Sequence, residues 1–167
     1  MEQLNYYNTN FDKKTFPITL VCDNVTNAPN IGSLFRTADA FGVEHLALCG
    51  TQIQLGRKIT KTSRSTEKAV SFSIETDASD VVTDLKQKGY TIVVLEITKN
   101  SSSLKTAIFT NTKPIAIVIG DENFGVSESI LELADQVIHI DMFGQNSSMN
   151  VVQATSIILY EITKQIQ

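Results

Sequence analysis

Residues 115–127, IAIVIGDENFGVS, decide how this chain is read. An apolar run from Ile115 to Ile119 is followed by Gly120, four residues, Gly125, Val126 and Ser127. A strand that opens into a glycine-bracketed loop and then a helix is the layout of a phosphate-binding P-loop, GxxxxGK[ST]. Here Val126 stands where that loop has its lysine, and Asp121 and Glu122 add two negative charges. Such a loop repels phosphates. The segment therefore predicts strand, loop and helix of an α/β domain, serving a ligand without phosphates.

The flanking sequence repeats the same alternation. Short, β-branched, apolar runs at 18–22, 45–50, 69–74, 90–97, 115–120 and 136–140 predict strands, bounded by Gly, Asn, Asp or Pro. Several are apolar nearly throughout, as strands covered on both faces are. Between them, Ile31, Leu34, Phe35, Ala38 and Phe41 fall at helical spacing, with Asn30 as the expected cap and Gly42 as the stop. Further helices are predicted at 78–88, at 127–134 with Ser127 as N-cap, and at 150–166 with Asn150 as N-cap. The order predicts a single α/β domain over 1–167, with a mainly parallel sheet and helices on both faces. Residues 101–103, SSS, read as a surface loop. Residues 1–16 are polar with scattered aromatics (Tyr6, Tyr7, Phe11, Phe16) and form either a tail or an arm packed on the body.

Composition narrows the function. No apolar run approaches the ~18 residues of a membrane span, and the N-terminus lacks a signal-peptide core. Cys22 and Cys49 lie in predicted strands and read as reduced core thiols of a cytoplasmic protein. Two cysteines and two histidines offer no zinc spacing, so no metal is expected. The net charge of −4 by itself disfavours nucleic acid, but its distribution matters more than the sum. RKITKTSRSTEK, 57–68, holds Arg57, Lys58, Lys61, Arg64 and Lys68 against Glu67 alone. These five cations form either a solvated, charged loop or helix face or a phosphate-contacting patch, with the interleaved Ser and Thr hydroxyls adding contacts.

In such a fold ligands sit at the carboxyl ends of the strands. Three loops there are unusual: DNVTNAPNIGSLFR after 18–22, GDENFGVS after 115–119, and DMFGQNSSMN after 136–140. None is GxGxxG, so no Rossmann dinucleotide site is supported.

Together the three carry a pattern. Asn30, Gly32, Arg36, Ala38, Phe41 and Gly42 form N-x-G-x-x-x-R-x-A-x-x-F-G. Gly120, Glu122 and Gly125 form G-x-E-x-x-G. Ala134 and Asp135, then Ile140, Met142 and Gly144, then Ser148, Asn150, Val151 and Ala154 form the third. In this order and spacing the chain resembles the SpoU (TrmH-type) RNA ribose 2′-O-methyltransferases of the SPOUT superfamily, over roughly 18–162. The resemblance implies a homodimer with a deep C-terminal trefoil knot. It implies that S-adenosylmethionine is held by Gly120, Glu122, Ile140, Met142, Gly144, Ser148 and Met149. Asn30, Arg36, Glu122, Ser148 and Asn150 would form the catalytic centre, and the basic stretch, Arg64 foremost, would contact RNA. The chain departs from the family at Asp141, often proline there, at Val152, often serine, and in placing Pro29 directly before Asn30.

The implied cofactor brings its own electrophilic methyl group, so the protein must align a ribose 2′-hydroxyl and handle one proton. The family assigns the proton to the arginine. A guanidinium resists deprotonation, so a bidentate clamp on the neighbouring phosphate is the milder role for Arg36. Compact size and motif wording favour tRNA over rRNA. The alternatives are a catalytically inactive dimeric RNA-binding protein of the same fold, and a generic nucleotide-binding domain, which the missing lysine and missing GxGxxG oppose.

Overall fold

The computed structural model describes residues 3–4 and 9–167; Tyr6 and Tyr7 of the expected arm lie outside them. Seven strands make one sheet in the order β3-β2-β1-β6-β4-β7-β5, and every pairing is parallel. The strands are β1 (Phe16–Asp23), β2 (Val43–Cys49), β3 (Phe72–Glu75), β4 (Thr91–Leu95), β5 (Ser102–Ser103), β6 (Ile115–Gly120) and β7 (Gln136–His139). The helices are α1 (Ala28–Ala40), α2 (Arg57–Ser63), α3 (Ala78–Gln87), α4 (Glu128–Leu133) and α5 (Val151–Ile166). All six predicted strands and the four predicted helices are present. Phe16, expected in the arm, is the first residue of β1 and is buried.

The two-residue period of the strands divides the core between the two faces. Ile18, Leu20, Cys22, Ile117 and Ile119 point to one face, where α1 and α5 bring Leu34, Phe35, Ile158 and Ile162. Val21, Cys49, Val94, Ala116 and Val118 point to the other, where α3 and α4 bring Val82, Leu85 and Ile130. Burial on both faces explains why these strands are apolar throughout. It also separates the two free cysteines. Burial, aided by the nearby Asp23, Glu75 and Asp77 charges, pushes the Cys49 thiol up to about 12. Burial likewise raises Cys22, so both are inert core residues.

Three local expectations are corrected. Asn27, not Asn30, caps α1: its Oδ1 accepts from the Asn30 N–H at 3.1 Å. Asn30 lies inside the first turn and is 9% exposed. Pro29, which lacks the N–H that would otherwise go unpaired there, fits that turn. Ser127 makes no side-chain cap on α4. The serine stretch is not all loop, because Ser102 and Ser103 pair with Ile138 and His139 as the edge strand β5. Asn150 does cap α5, accepting from Val152 N–H at 2.9 Å. Among the described residues no helix is long and apolar enough to cross a membrane.

Chain order and sheet order part company beside β1. The chain builds β1, β2 and β3 outward in one direction, then places β4, β7 and β5 on the other side of β6. Reversals of this kind open a crevice at the carboxyl ends of the strands.

Candidate active site

The loop after β6 is tightly folded and densely hydrogen-bonded. A Cβ on Gly120 would collide with the Gly125 carbonyl and the Val126 nitrogen, so glycine alone permits the loop to double back this closely. Gly125 has φ +70°, and a Cβ there would strike the Glu96 carboxylate. Glu96, just beyond β4, accepts from Val126 N–H at 3.0 Å and from Ile97 N–H at 2.8 Å. Asp121 Oδ1 accepts from the N–H groups of Asn123 and Phe124 at 2.8 and 3.1 Å. Asp23, 2% exposed at the end of β1, accepts from the Ser127 N–H at 2.8 Å and hydroxyl at 2.5 Å. The Ser127 hydroxyl is turned toward Asp23 and makes no cap bond to the first turn of α4. Asp121, one of the two acids that spoil a P-loop, thus helps Glu96 and Asp23 hold this loop together.

The hub of the site is Asn150. Its Oδ1 is committed to the α5 cap, which leaves Nδ2 as donor on the other side. Nδ2 donates to Glu122 Oε1 at 2.9 Å and to Asn30 Oδ1 at 3.2 Å. One amide therefore ties together the first turns of α1 and α5 and the loop after β6. Residues 30, 122 and 150 lie far apart in the chain and touch here.

Beside this hub lies a cleft of about 500 Å³ at the carboxyl ends of β4, β6 and β7. Of the residues expected to hold the cofactor, Gly120, Glu122, Ile140, Met142, Ser148 and Met149 line it and Gly144 does not. The walls include Leu95, Ile119, Val126 and Val151, and the charged groups are Glu96, Asp121 and Glu122. No Lys or Arg is among the described lining residues. Volume and apolar walls suit a small organic ligand. The charge suits a cation and opposes a phosphate. Asp141 stays out of the cleft lining: its carboxylate accepts from Ser103 Oγ at 2.5 Å and lies 3.6 Å from His139 Nε2.

Arg36 is elsewhere. It is exposed six residues beyond Asn30 on α1, about 9 Å along the axis by helix rise. With Pro29, Lys58, Lys61, Thr62 and Arg64 it lines a second, open groove of about 420 Å³. Gly32 makes that groove possible. A Cβ on it would sit 2.6 Å from Thr62 Cβ and 2.8 Å from the Ile59 carbonyl oxygen, so its absence lets α2 lie against α1. The close neighbour that Gly32 admits is the chain's own α2. Arg57 and Lys68 lie on the same segment outside the groove lining.

Two further residues hold the site, and the three motifs do not include them. Asp23 and Glu96 are single acids at the carboxyl ends of apolar strands, ITLVCD and TIVVLE. That placement is the signal in the sequence that marks them, since an acid there has a loop to hold or a ligand to meet.

A doubly covered parallel sheet, an acidic cleft at its carboxyl ends and an adjoining basic groove define an α/β protein built for a small cationic ligand and a polyanion. The model of the SpoU rRNA Methylase family matches residues 17–160, and the chain belongs to that family. It is 34% identical over 157 residues to a tRNA (guanosine(18)-2'-O)-methyltransferase of Aquifex aeolicus, covering 92% of this chain and 72% of that protein. The crystal structure of the A. aeolicus TrmH/SpoU tRNA modifying enzyme matches with a TM-score of 0.80 at 32% identity, over 92% of this chain and 77% of that one. The SpoU methyltransferase AviRb of Streptomyces viridochromogenes, solved in complex with the cofactor AdoMet, matches with a TM-score of 0.75 at 27% identity, over 92% and 62%.

Proposed function

We propose that this chain transfers a methyl group from S-adenosylmethionine to a ribose 2′-hydroxyl of tRNA. The observation that carries the proposal is the Asn30–Asn150–Glu122 cluster at the mouth of a cleft whose charge fits a sulfonium and repels phosphate. The Aquifex relative, named for methylation of tRNA, favours tRNA over rRNA.

S-adenosylmethionine, once bound, supplies an activated methyl group and a thioether leaving group. Gly120, Ile140, Met142, Ser148 and Met149 would hold it, with Glu96, Asp121 and Glu122 setting a negative field around its positive charge. The remaining work is positioning and taking one proton. The proton that leaves the 2′-hydroxyl as its oxygen gains the methyl group goes to the Glu122 carboxylate beside Asn150. Asn150, locked by its cap, orients Glu122 and Asn30 at the cleft mouth. Arg36 clamps the phosphate next to the acceptor ribose, and Lys58, Lys61 and Arg64 hold the flanking backbone. Placing hydroxyl and methyl group in line removes the entropy cost of their encounter. An inactive RNA-binding role is disfavoured because the whole cluster is present and bonded.

On this reading residues 1–167 act as one domain, the last strand and helix thread as a deep trefoil knot, and the protein works as a cytoplasmic homodimer. The family resemblance supports these points. The experiment is methylation of bulk tRNA and rRNA from cells deleted for the gene, followed by nucleoside mass spectrometry. A 2′-O-methyl nucleoside in tRNA is the expected product. A base-methylated nucleoside, or none in either RNA, would overturn the proposal.

A further inference from the structure

Phe124 sits in the middle of the loop after β6 and is 91% exposed. Phe11 and Phe143 are also exposed, at 83% and 97%, but of the three only Phe124 lines the cleft. The loop cannot easily fold it away. The Asn123 and Phe124 N–H groups are bound to Asp121 Oδ1, the Gly125 N–H to the Asp121 carbonyl at 2.9 Å, and the Val126 N–H to Glu96. These four bonds pin the backbone on both sides of the ring.

The position of the ring is as telling as its exposure. Phe124 forms part of the cleft wall and is the only Phe, Tyr or Trp among the described lining residues. It lies two residues from Glu122, which bonds the Asn150 hub. Phosphates drawn to the basic groove beside α1 bring a ribose toward that hub, and every ribose brings a base. Unstacked RNA bases are commonly received on exposed aromatic rings, because every base has a π-face.

We infer that Phe124 is the stacking platform for the base of the acceptor nucleotide. The inference rests on the proposed methyl transfer and adds a residue that positions the base while Arg36 positions the phosphate. Stacking tolerates any base, so Phe124 sets affinity and orientation, and base choice falls to other contacts.

The test compares Phe124→Ala, Phe124→Leu and Phe124→Trp in methyl transfer to tRNA, with S-adenosylmethionine affinity measured by calorimetry. Phe124→Ala is expected to raise KM for tRNA roughly 5- to 150-fold, the span that corresponds to losing one stacked base, with cofactor affinity unchanged. Leucine keeps the bulk without the flat face and should behave like alanine; tryptophan should restore KM. With no native tryptophan, Phe124→Trp is also a single-tryptophan reporter, excited selectively over the four tyrosines, whose emission tRNA should quench. Quenching by tRNA without methyl transfer by the wild type would leave a ring that stacks on RNA but sink the methyltransferase reading and, with it, the assignment to an acceptor nucleotide. Methyl transfer with KM unchanged in Phe124→Ala, or with leucine equal to phenylalanine, would sink the platform alone. Cofactor affinity falling with Phe124→Ala would assign the ring to the cofactor, and a change in sedimentation would assign it to a contact between copies; either overturns the inference.

Discussion

The cleft and the groove are similar in volume, about 500 and 420 Å³, and opposite in chemistry. The cleft is walled by apolar side chains with three carboxylates and stands at the ends of strands. The groove is open, lined by Arg36, Lys58, Lys61 and Arg64, and stands between two helices. Helix α1 joins them, with Asn30 at one and Arg36 at the other. The net charge of −4 averages over this division and conceals it. The contrast teaches that charge sorts the two ligands before either one docks. Under the proposed function, phosphates are repelled from the cleft, a sulfonium gains nothing in the groove, and the acceptor ribose lies between the two.

The largest break in this contrast is expected at Arg36. Arg36→Ala should cut methyl transfer by about 10²-fold or more, because the ribose is no longer clamped in alignment. Calorimetry should find cofactor affinity unchanged; turnover near wild type would remove Arg36 from the mechanism. Next is Gly125→Ala, which attacks the cleft alone. Its Cβ meets Glu96 at a backbone φ of +70°. It should weaken S-adenosylmethionine binding and cost about 1–3 kcal/mol of stability in denaturant unfolding, while tRNA binding at low salt persists. Arg64→Ala attacks the groove alone. The plot of log affinity for tRNA against log salt should become shallower by about 0.7–0.9, the slope that one neutralised phosphate carries.

The smallest expected effect lies away from both sites. Asp135 accepts from Ile92 N–H at 2.8 Å and pairs with Lys86 at 3.1 Å. Partial burial pushes its carboxyl upward, but the Ile92 N–H bond and the Lys86 partner outweigh this and hold it below its ordinary value. A lowered carboxylate contributes stability above its unfolded pKa, ~3.9, and loses it as pH falls through the folded value. Asp135→Asn should therefore be less stable than wild type at neutral pH by about 0.5–1 kcal/mol, the pair being partly exposed. The gap should close in acid, and a gap independent of pH would point to packing instead.

Much of this was legible in the residues. The apolar strands and the two-faced burial follow from the hydrophobic pattern, and the loop after β6 was recognisable as unsuited to phosphate from its acids and missing lysine. What escaped has physical causes. Strand β5 is two serines with no hydrophobic signal, and it exists only because β7 offers an edge. Asn27 and Asn30 are equally good caps by type, and only the backbone chooses between them. Asp23 and Glu96 act through tertiary bonds that local patterns do not encode. The grouping of Arg36 with α2 depends on Gly32 admitting that helix, although the two segments are well separated along the chain.

The separation of the two sites is tested most directly in the triple variant Lys58→Ala/Lys61→Ala/Arg64→Ala. S-adenosylmethionine is titrated into it and into wild type by calorimetry, and tRNA binding is measured on the same preparations. Separate sites predict equal cofactor affinity in the two proteins and loss of most tRNA affinity in the variant. Cofactor affinity falling together with tRNA affinity, or tRNA affinity holding at the wild-type level, would contradict the division of labour between cleft and groove.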